Sequence, residues 1–429
     1  MRSPTILLML LVTTPPSVAA QVGLSGTWKG YWTRAGDTMA VTLHVQRDST
    51  TRKYTARFDS DRLRVNGIPF DEPQLRGCCD VTLVLRGDRT TATFTGKFRG
   101  DSLSGRFRDN GTEGEFAFSR AKGSRPVFDE RTITFANGGV SLAGSLLLPR
   151  GRAAVPAVVF LHGSGPEGRW ASRFLATQLA THGIAALIYD KRGVGQSTGD
   201  WRQATPEDLA RDAAAAVARL RQEPRIDGRR IGIHGHSQGG TLAPMAVAQS
   251  ADVAFVIGSA AAGLPMDSVE IFSILNAVYP EATSAQDSAD ARDYTAELVA
   301  VAYRGRLRPR LDSLALVLRN RPWFFAPPPP EDSYWAFSKL YAEYQPLEWW
   351  AKVRVPVLLI YGERDQRVPA RESAARIAAT VERNAPDVDV TVRILPAADH
   401  TFRLPPGPGG WPMSAPDYLP TLLQWLERR

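Results

Sequence analysis

Near residue 120 the hydrophobic period of the chain changes, and no single-domain fold accommodates both halves. Before that point apolar and polar residues alternate in short runs: Val41, Leu43 and Val45 against Thr42, His44 and Gln46, then Val81, Leu83 and Leu85 against Thr82 and Arg86. Period two belongs to strands with one buried face. Further runs around Phe94 to Phe98 and Glu115 to Phe118 are set apart by turn residues such as Asn110-Gly111, the punctuation of hairpins. Residues 21 to 120 therefore read as a small antiparallel all-β domain, a barrel or a sandwich. Residues 121 to 130, with Lys122, Gly123, Ser124 and Pro126, read as a linker.

From residue 131 to 429 strands alternate with helices. Ala157 to Leu161 is an apolar strand, Ser172 to His182 a helix, Ile184 to Tyr189 a strand, Pro206 to Arg221 a helix and Ile231 to His234 a strand. Such βαβ alternation predicts a mainly parallel sheet flanked by helices on both faces. Between about 263 and 350 the alternation stops and helical stretches, Val269 to Val278 and Leu311 to Leu318, follow one another, so an inserted helical cap is expected there. The run Pro327 to Pro330 is a stiff connector within it, and its aromatic residues, Trp323 to Trp350, form cap core or line an apolar pocket. The sheet resumes at Val355 to Tyr361 and Val390 to Leu395, and Tyr418 to Leu426 makes a closing helix. A length of 429 residues suits two domains, and 43% hydrophobic with 22% charged residues excludes extensive disorder or a fibrous fold.

Residues 1 to 20 begin with Arg2, run through an apolar stretch from Ile6 to Val12 and end on Val18, Ala19 and Ala20, the pattern of a secretory signal peptide cut after Ala20. The expected location is outside the cytoplasm, in a bacterial periplasm or the medium. No later run of 18 apolar residues predicts a membrane span. The net charge of +8 is scattered, without a block of like charges, which argues against nucleic acid as a partner. Cys78 and Cys79 are adjacent, leaving a vicinal bridge, an intermolecular bridge and two free thiols open, and neither cysteine lies in a motif with a base.

Gly235-His236-Ser237-Gln238-Gly239 fits G-x-S-x-G and stands between the strand ending at His234 and a helix-compatible run from Thr241 to Gln249. A serine on so sharp a strand-to-helix turn projects its hydroxyl above the sheet, and the flanking glycines remove side chains that would clash. A hydroxyl needs a base to become a nucleophile. His400, in Ala398-Asp399-His400-Thr401-Phe402, is the only histidine after Ser237, where the chain order of the family that this elbow resembles would place the base. The acid belongs to the loop after the preceding strand, Gly362-Glu363-Arg364-Asp365. Asp365 is the choice, Glu363 the runner-up, and Asp399 reads as a turn former. For the oxyanion hole the candidates are the backbone amide of Gln238 and those of Ser164 or Gly165 in the loop Leu161-His162-Gly163-Ser164-Gly165, with His162 organising that loop.

Gly163, Gly165 and Gly168 also imitate a dinucleotide fingerprint, with Asp190 ending the next strand. Pro166 interrupts that loop, and the dinucleotide reading leaves Ser237, Asp365 and His400 without a role. Zinc needs several ligands at set spacing; the histidines do not have it and the cysteines are adjacent, so no metal is expected.

Residues 130 to 429 resemble the α/β-hydrolase superfamily, in particular exported bacterial esterases that carry a small β domain before the hydrolase domain. The loop His162 to Gly165, the loop Asp190-Lys191-Arg192-Gly193-Val194-Gly195-Gln196-Ser197, the Ser237 elbow, the acid loop Gly362 to Asp365 and Asp399-His400 stand in the family's order. The opening Leu24-Ser25-Gly26-Thr27-Trp28-Lys29-Gly30 is similar to small β domains that precede such hydrolases. The resemblance implies hydrolysis of a small-molecule carboxylic ester through an acyl-enzyme on Ser237, with no cofactor. A serine aminopeptidase or amidase of the same fold is the alternative, although residues 21 to 120 are too few for a β-propeller filter. A catalytically silent protein that binds an envelope component or glycan is the second alternative, against which the intact set of three residues argues.

Overall fold

The computed structural model describes residues 23–77, 79–87, 91–122, 127–151 and 154–429. The predicted signal peptide lies outside the described residues, as does Cys78; Cys79 is disulfide-bonded. The chain divides into two compact units, one made of residues 1–59 and 67–123, the other of 60–66 and 124–429.

The first unit holds, apart from Ser60, Val65 and Asn66, the strands β1 (Gly26–Arg34), β2 (Asp37–Arg47), β3 (Tyr54–Ser60), β4 (Val65–Pro69), β5 (Asp71–Arg76), β6 (Asp80–Arg86), β7 (Thr91–Arg99), β8 (Ser102–Asp109) and β9 (Thr112–Arg120). They form one antiparallel sheet in the order β4-β3-β2-β1-β9-β8-β7-β6-β5. The residues that alternate in the sequence are the ones the sheet buries. Val41, Leu43 and Val45 point inward with Trp28, Trp32, Phe58 and Phe94, and the Trp32 ring lies 5.0 Å from Phe58 and 4.8 Å from Phe94, centroid to centroid. At Gly96, paired with Gly105, a Cβ would sit 2.3 Å from Ser104 O, so only glycine lets the two backbones approach as the sheet curls.

The second unit carries an eight-stranded sheet: β10 (Phe128–Asn137), β11 (Val140–Pro149), β12 (Val155–Leu161), β13 (Ala185–Tyr189), β14 (Ile226–His236), β15 (Phe255–Ser259), β16 (Val357–Gly362) and β17 (Val390–Leu395). The order is β10-β11-β13-β12-β14-β15-β16-β17, with β10 and β11 antiparallel at one edge and β13 through β17 parallel. β10 starts at Phe128, inside the stretch read as linker, and the β10–β11 hairpin has no counterpart in the sequence reading. β11 is buried along nearly its whole length, so its run Leu146-Leu147-Leu148 lacks the alternation that marks a half-buried strand.

The helices are α1 (Arg173–Thr181), α2 (Pro206–Arg221), α3 (Gln238–Ala248), α4 (Met266–Val278), α5 (Ala285–Arg304), α6 (Pro309–Leu318), α7 (Ser333–Leu340), α8 (Pro346–Trp350), α9 (Ala370–Asn384) and α10 (Tyr418–Leu426). One face of the sheet, with Val159, Leu187, Ile233 and Leu359, packs on Val217 and Leu220 of α2, Leu242 and Met245 of α3, and Ile377 and Val381 of α9. The other, with Val158, Phe160, Ile188 and Ile360, packs on Phe174 and Leu179 of α1 and Leu422 and Trp425 of α10. Helices α4 to α8 interrupt the alternation between β15 and β16. They hold a small core of their own around Tyr294, Leu298, Leu311 and Trp323, whereas Tyr341, Tyr344 and Trp350 join the main core. Among the described residues no helix is long and apolar enough to cross a membrane.

Candidate active site

β14 runs into α3 through one residue, Ser237, whose φ of +55° and ψ of −116° are strained for a side chain other than glycine. The surroundings over-determine that conformation. Ser237 N donates to Ser259 O at 2.9 Å, and Ser237 O accepts from the N–H and the hydroxyl of Thr241 at 2.9 and 3.0 Å. A Cβ on Gly235 would lie 2.2 Å from the Gly239 carbonyl carbon, and one on Gly239 would lie 2.6 Å from His162 O. Glycine at both positions is therefore what lets the strand, the helix and the loop after β12 crowd around the serine.

His400 and Asp365 come together. His400 Nδ1 lies 2.8 Å from Asp365 Oδ2, and the other carboxylate oxygen accepts from the N–H groups of Arg367 at 2.7 Å and Val368 at 2.9 Å. The Asp365 side chain is fully buried. A carboxylate at Nδ1 keeps the proton on that nitrogen, which leaves Nε2 of a neutral imidazole free to accept one. The base loop is itself braced: Asp399 Oδ1 accepts from Thr401 N, Thr401 Oγ1 and Arg403 N, the turn-forming part read from its sequence context. It meets the elbow through His236, whose Nε2 lies 2.9 Å from His400 O and whose ring is 5.0 Å from the His400 ring. Ser237 Oγ forms no hydrogen bond among the described residues, and such a contact with the base commonly tightens only around a substrate. Glu363 is occupied elsewhere, accepting from Ala397 N at 3.1 Å and Arg371 at 2.8 Å.

Three other histidines near the site are held neutral. Burial pushes His162 and His234 down to about 3 and His236 to about 4; neighbouring positive charge, Lys191 for His162, adds to the effect. His162 Nε2 is spent on Tyr189 O, at 2.5 Å, consistent with a loop-organising side chain.

Among the described residues the N–H groups of Gln238, Ser164 and Gly165 have no acceptor, whereas that of Gly163 donates to Glu167 Oε2 at 2.6 Å and Pro166 has none to offer. The glycine-rich loop after β12 thus leaves two backbone donors without an intramolecular acceptor. Both oxygens of Asp190, which a ribose would need, are engaged by Arg169 and by Gln196 N. The dinucleotide alternative loses its acidic residue by that pairing.

Sequence reasoning assigned no part to Lys191, which is 2% exposed and whose Nζ lies 2.6 Å from Gly163 O, 2.9 Å from Gly165 O and 3.0 Å from Gln238 Oε1. Gln238 Nε2 in turn donates to the hydroxyl of Tyr341, 2.8 Å away. The signal was a lysine inside an otherwise turn-like loop, and nothing in the chain pointed to the cap tyrosine 103 positions beyond the glutamine. A cleft of about 1380 Å³ in the first unit, bordered by Arg47, Arg57, Phe70 and Arg76, contains none of these groups, so the site rests on geometry and not on cavity size.

A model of the alpha/beta hydrolase family matches residues 158–412, more than half of the chain, and the chain belongs to that family. It is similar to esterase EstD of Thermotoga maritima, 33% identical over 124 residues that make up 27% of this chain and 29% of that protein. It is 38% identical to thiohydrolase aneE of Aspergillus aculeatus over 106 residues, 24% of this chain and 33% of that one. A weaker likeness, 23% identity, extends over 286 residues of the mouse acylamino-acid-releasing enzyme, 65% of this chain and 33% of that one. The chain spans about a third of the length of the curated relatives it matches.

Proposed function

We propose that the protein is a serine hydrolase that cleaves carboxylic esters of small molecules through an acyl-enzyme on Ser237. The observation that carries this reading is the buried Asp365 carboxylate 2.8 Å from His400 Nδ1, beside a serine held at φ +55° on a strand-to-helix turn. His400 Nε2 removes the Ser237 proton as Oγ attacks the ester carbonyl; the tetrahedral intermediate collapses, and the alcohol leaves with the proton returned by His400. Water, deprotonated by the same nitrogen, then releases the acid. Asp365 holds the tautomer and stabilises the imidazolium. The N–H groups of Gln238 and of Ser164 or Gly165 receive the oxyanion. No step calls for a metal or an organic cofactor.

Amide cleavage by the same groups is the second reading, favoured by the length of the match to the acylamino-acid-releasing enzyme, 65% of this chain. A p-nitrophenyl ester series from acetate to palmitate, run beside aminoacyl-anilides on wild type and Ser237→Ala, separates the two. Ester turnover that vanishes in a folded Ser237→Ala supports the ester reading. Turnover of anilides alone supports the peptidase, and turnover that survives the substitution rejects Ser237 as nucleophile.

A further inference from the structure

Lys191 stands at the candidate site without a task in the proposed chemistry, and it is costly to keep. Its ammonium is almost wholly buried, and no carboxylate lies within ion-pair distance of it among the described residues. A buried charge without a counter-ion opposes folding unless hydrogen bonds repay the lost hydration. Lys191 meets that condition in full, because three protons face three acceptors: Gly163 O, Gly165 O and Gln238 Oε1. The Trp201 ring, 5.8 Å from Nζ, adds a weak cation–π contact.

The identity of those acceptors gives the arrangement its meaning. Two are carbonyls of the loop that carries Ser164 and Gly165, and the third belongs to the residue after Ser237. In a trans peptide the C=O and N–H point in opposite directions, so drawing the Gly163 carbonyl onto Lys191 turns the Ser164 N–H away from the ammonium. Gly165 sits at φ +84°, where other residues are strained, and its carbonyl is shared between Lys191 and Glu167 N. From the other side, Glu167 Oε2 takes the Gly163 N–H. Gln238, tied to Lys191 by Oε1, is tied by Nε2 to Tyr341 at the end of α7, so the ammonium also connects the start of α3 to the cap.

We propose that Lys191 is a positioning residue of the hydrolytic site, fastening the Gly163–Gly165 loop to Gln238 so that the two sets of backbone N–H donors stay aimed at the developing oxyanion. The inference rests on the serine-hydrolase reading given above. A donor held in place before reaction costs no reorganisation during it, which is why Lys191 acts on the chemical step rather than on ground-state binding.

The charge state follows the surroundings. Burial lowers Lys191 to about 8, with the Glu167 carboxylate opposing that shift. The other groups that face it are neutral or engaged: His162 is held neutral, Gln238 and Trp201 carry no charge, and Asp190 is paired with Arg169. The ammonium is present below that value and lost above it, so one of its three hydrogen bonds disappears on the alkaline side.

The test is kcat and KM for p-nitrophenyl butyrate across pH 6 to 10, with stoichiometric labelling by a fluorophosphonate, on wild type, Lys191→Met and Lys191→Arg. Lys191→Met is expected to lose kcat by roughly ten- to a hundredfold, the scale set by small misplacements of catalytic groups, with KM moved much less. It still takes one label per chain, and the alkaline fall of kcat near pH 8 expected of wild type is gone. Lys191→Arg keeps a charge that does not titrate in this range and so loses the alkaline fall while retaining more kcat than Lys191→Met. Wild-type kcat in a folded Lys191→Met overturns the proposal, as does an alkaline fall that persists in both variants or a loss confined to KM. If Lys191→Met does not fold, Lys191→Arg decides alone by its alkaline limb. A wild type that neither labels nor hydrolyses the ester fails the serine-hydrolase reading itself and takes this inference with it.

Discussion

Asp365 offers both of its oxygens in different directions, and the distinction sets what a single-atom change does. Oδ2 faces His400 Nδ1 while Oδ1 is held by two backbone N–H groups. In Asp365→Asn the amide oxygen satisfies those two N–H donors, so the NH₂ turns toward His400 and meets a ring nitrogen that must then become an acceptor. The tautomer flips, and Nε2 is protonated where a base is required. The expected result is a kcat for ester hydrolysis lower by roughly 10³–10⁴, with near-native melting temperature, measured by steady-state kinetics beside thermal unfolding. Glu363→Gln, whose carboxylate lies on Arg371 and Ala397, is expected to keep kcat within about twofold, since surface pairs of this kind contribute little. At this scale much of the candidate site was legible. The elbow declared itself because two glycines and a serine are needed at fixed spacing, and His400 because no other histidine follows. Lys191 and Tyr341 were not legible, because their parts depend on carbonyl directions and on a cap residue brought back from far along the chain.

The start of α2 illustrates how an element writes its own boundary. Thr205 Oγ1 accepts from Asp208 N at 3.1 Å, Asp208 Oδ2 accepts from Thr205 N at 3.1 Å, and Pro206 takes the first helical position, where its missing N–H costs nothing. Sequence and structure agree there on Pro206 to Arg221. Where the boundary lacks such chemistry they part: Arg169–Ser172 forms a 3₁₀ turn ahead of α1, and β14 begins at Ile226 instead of Ile231. The middle of α2 obeys a different rule. Asp212, 1% exposed, receives Arg192 through Nε at 2.8 Å and Nη2 at 2.7 Å, and Asn137 through Nδ2 at 2.8 Å, so one carboxylate joins α2, β10 and the loop after β13. Removing it leaves the buried Arg192 guanidinium with only Asp208, whose carboxylate lies 3.8 Å away, as a counter-ion. Urea midpoints should therefore separate the two changes: Thr205→Ala costs about 1 kcal/mol, the worth of a cap, whereas Asp212→Ala costs about 3–5 kcal/mol, the penalty of breaking a buried pair. Equal losses would mean that the pair is far better hydrated than its burial implies.

For the molecule as a whole, the buried His234 and the half-buried His162 and His236 around the site make stability depend on pH in a definite direction. His162, His234 and His236 have folded values near 3, 3 and 4, all lowered by burial, against about 6.5 in an unfolded chain. A group depressed in the folded state gives its full contribution above the unfolded value and loses it as pH falls toward the folded one. Each histidine therefore weakens the fold by about 1.4 kcal/mol per pH unit below about 6.5, down to roughly pH 4. Glu167 and Glu270 work against this, since burial raises both and their protonation in the folded state favours it as the solution becomes acidic. Three histidines outnumber the two half-buried carboxyls that act the other way, so the net change from pH 7.5 to pH 5 is a loss of stability, before most carboxylates that accept ion pairs are protonated. Equilibrium urea unfolding at the two pH values measures it. His234→Gln then apportions it, because His234 is 2% exposed and a neutral amide at that position removes one titrating group. The variant should show a shallower dependence than wild type by about one group's share, whatever its stability at pH 7.5. An unchanged slope in His234→Gln would place the acid sensitivity in the carboxylates and leave the imidazoles as bystanders.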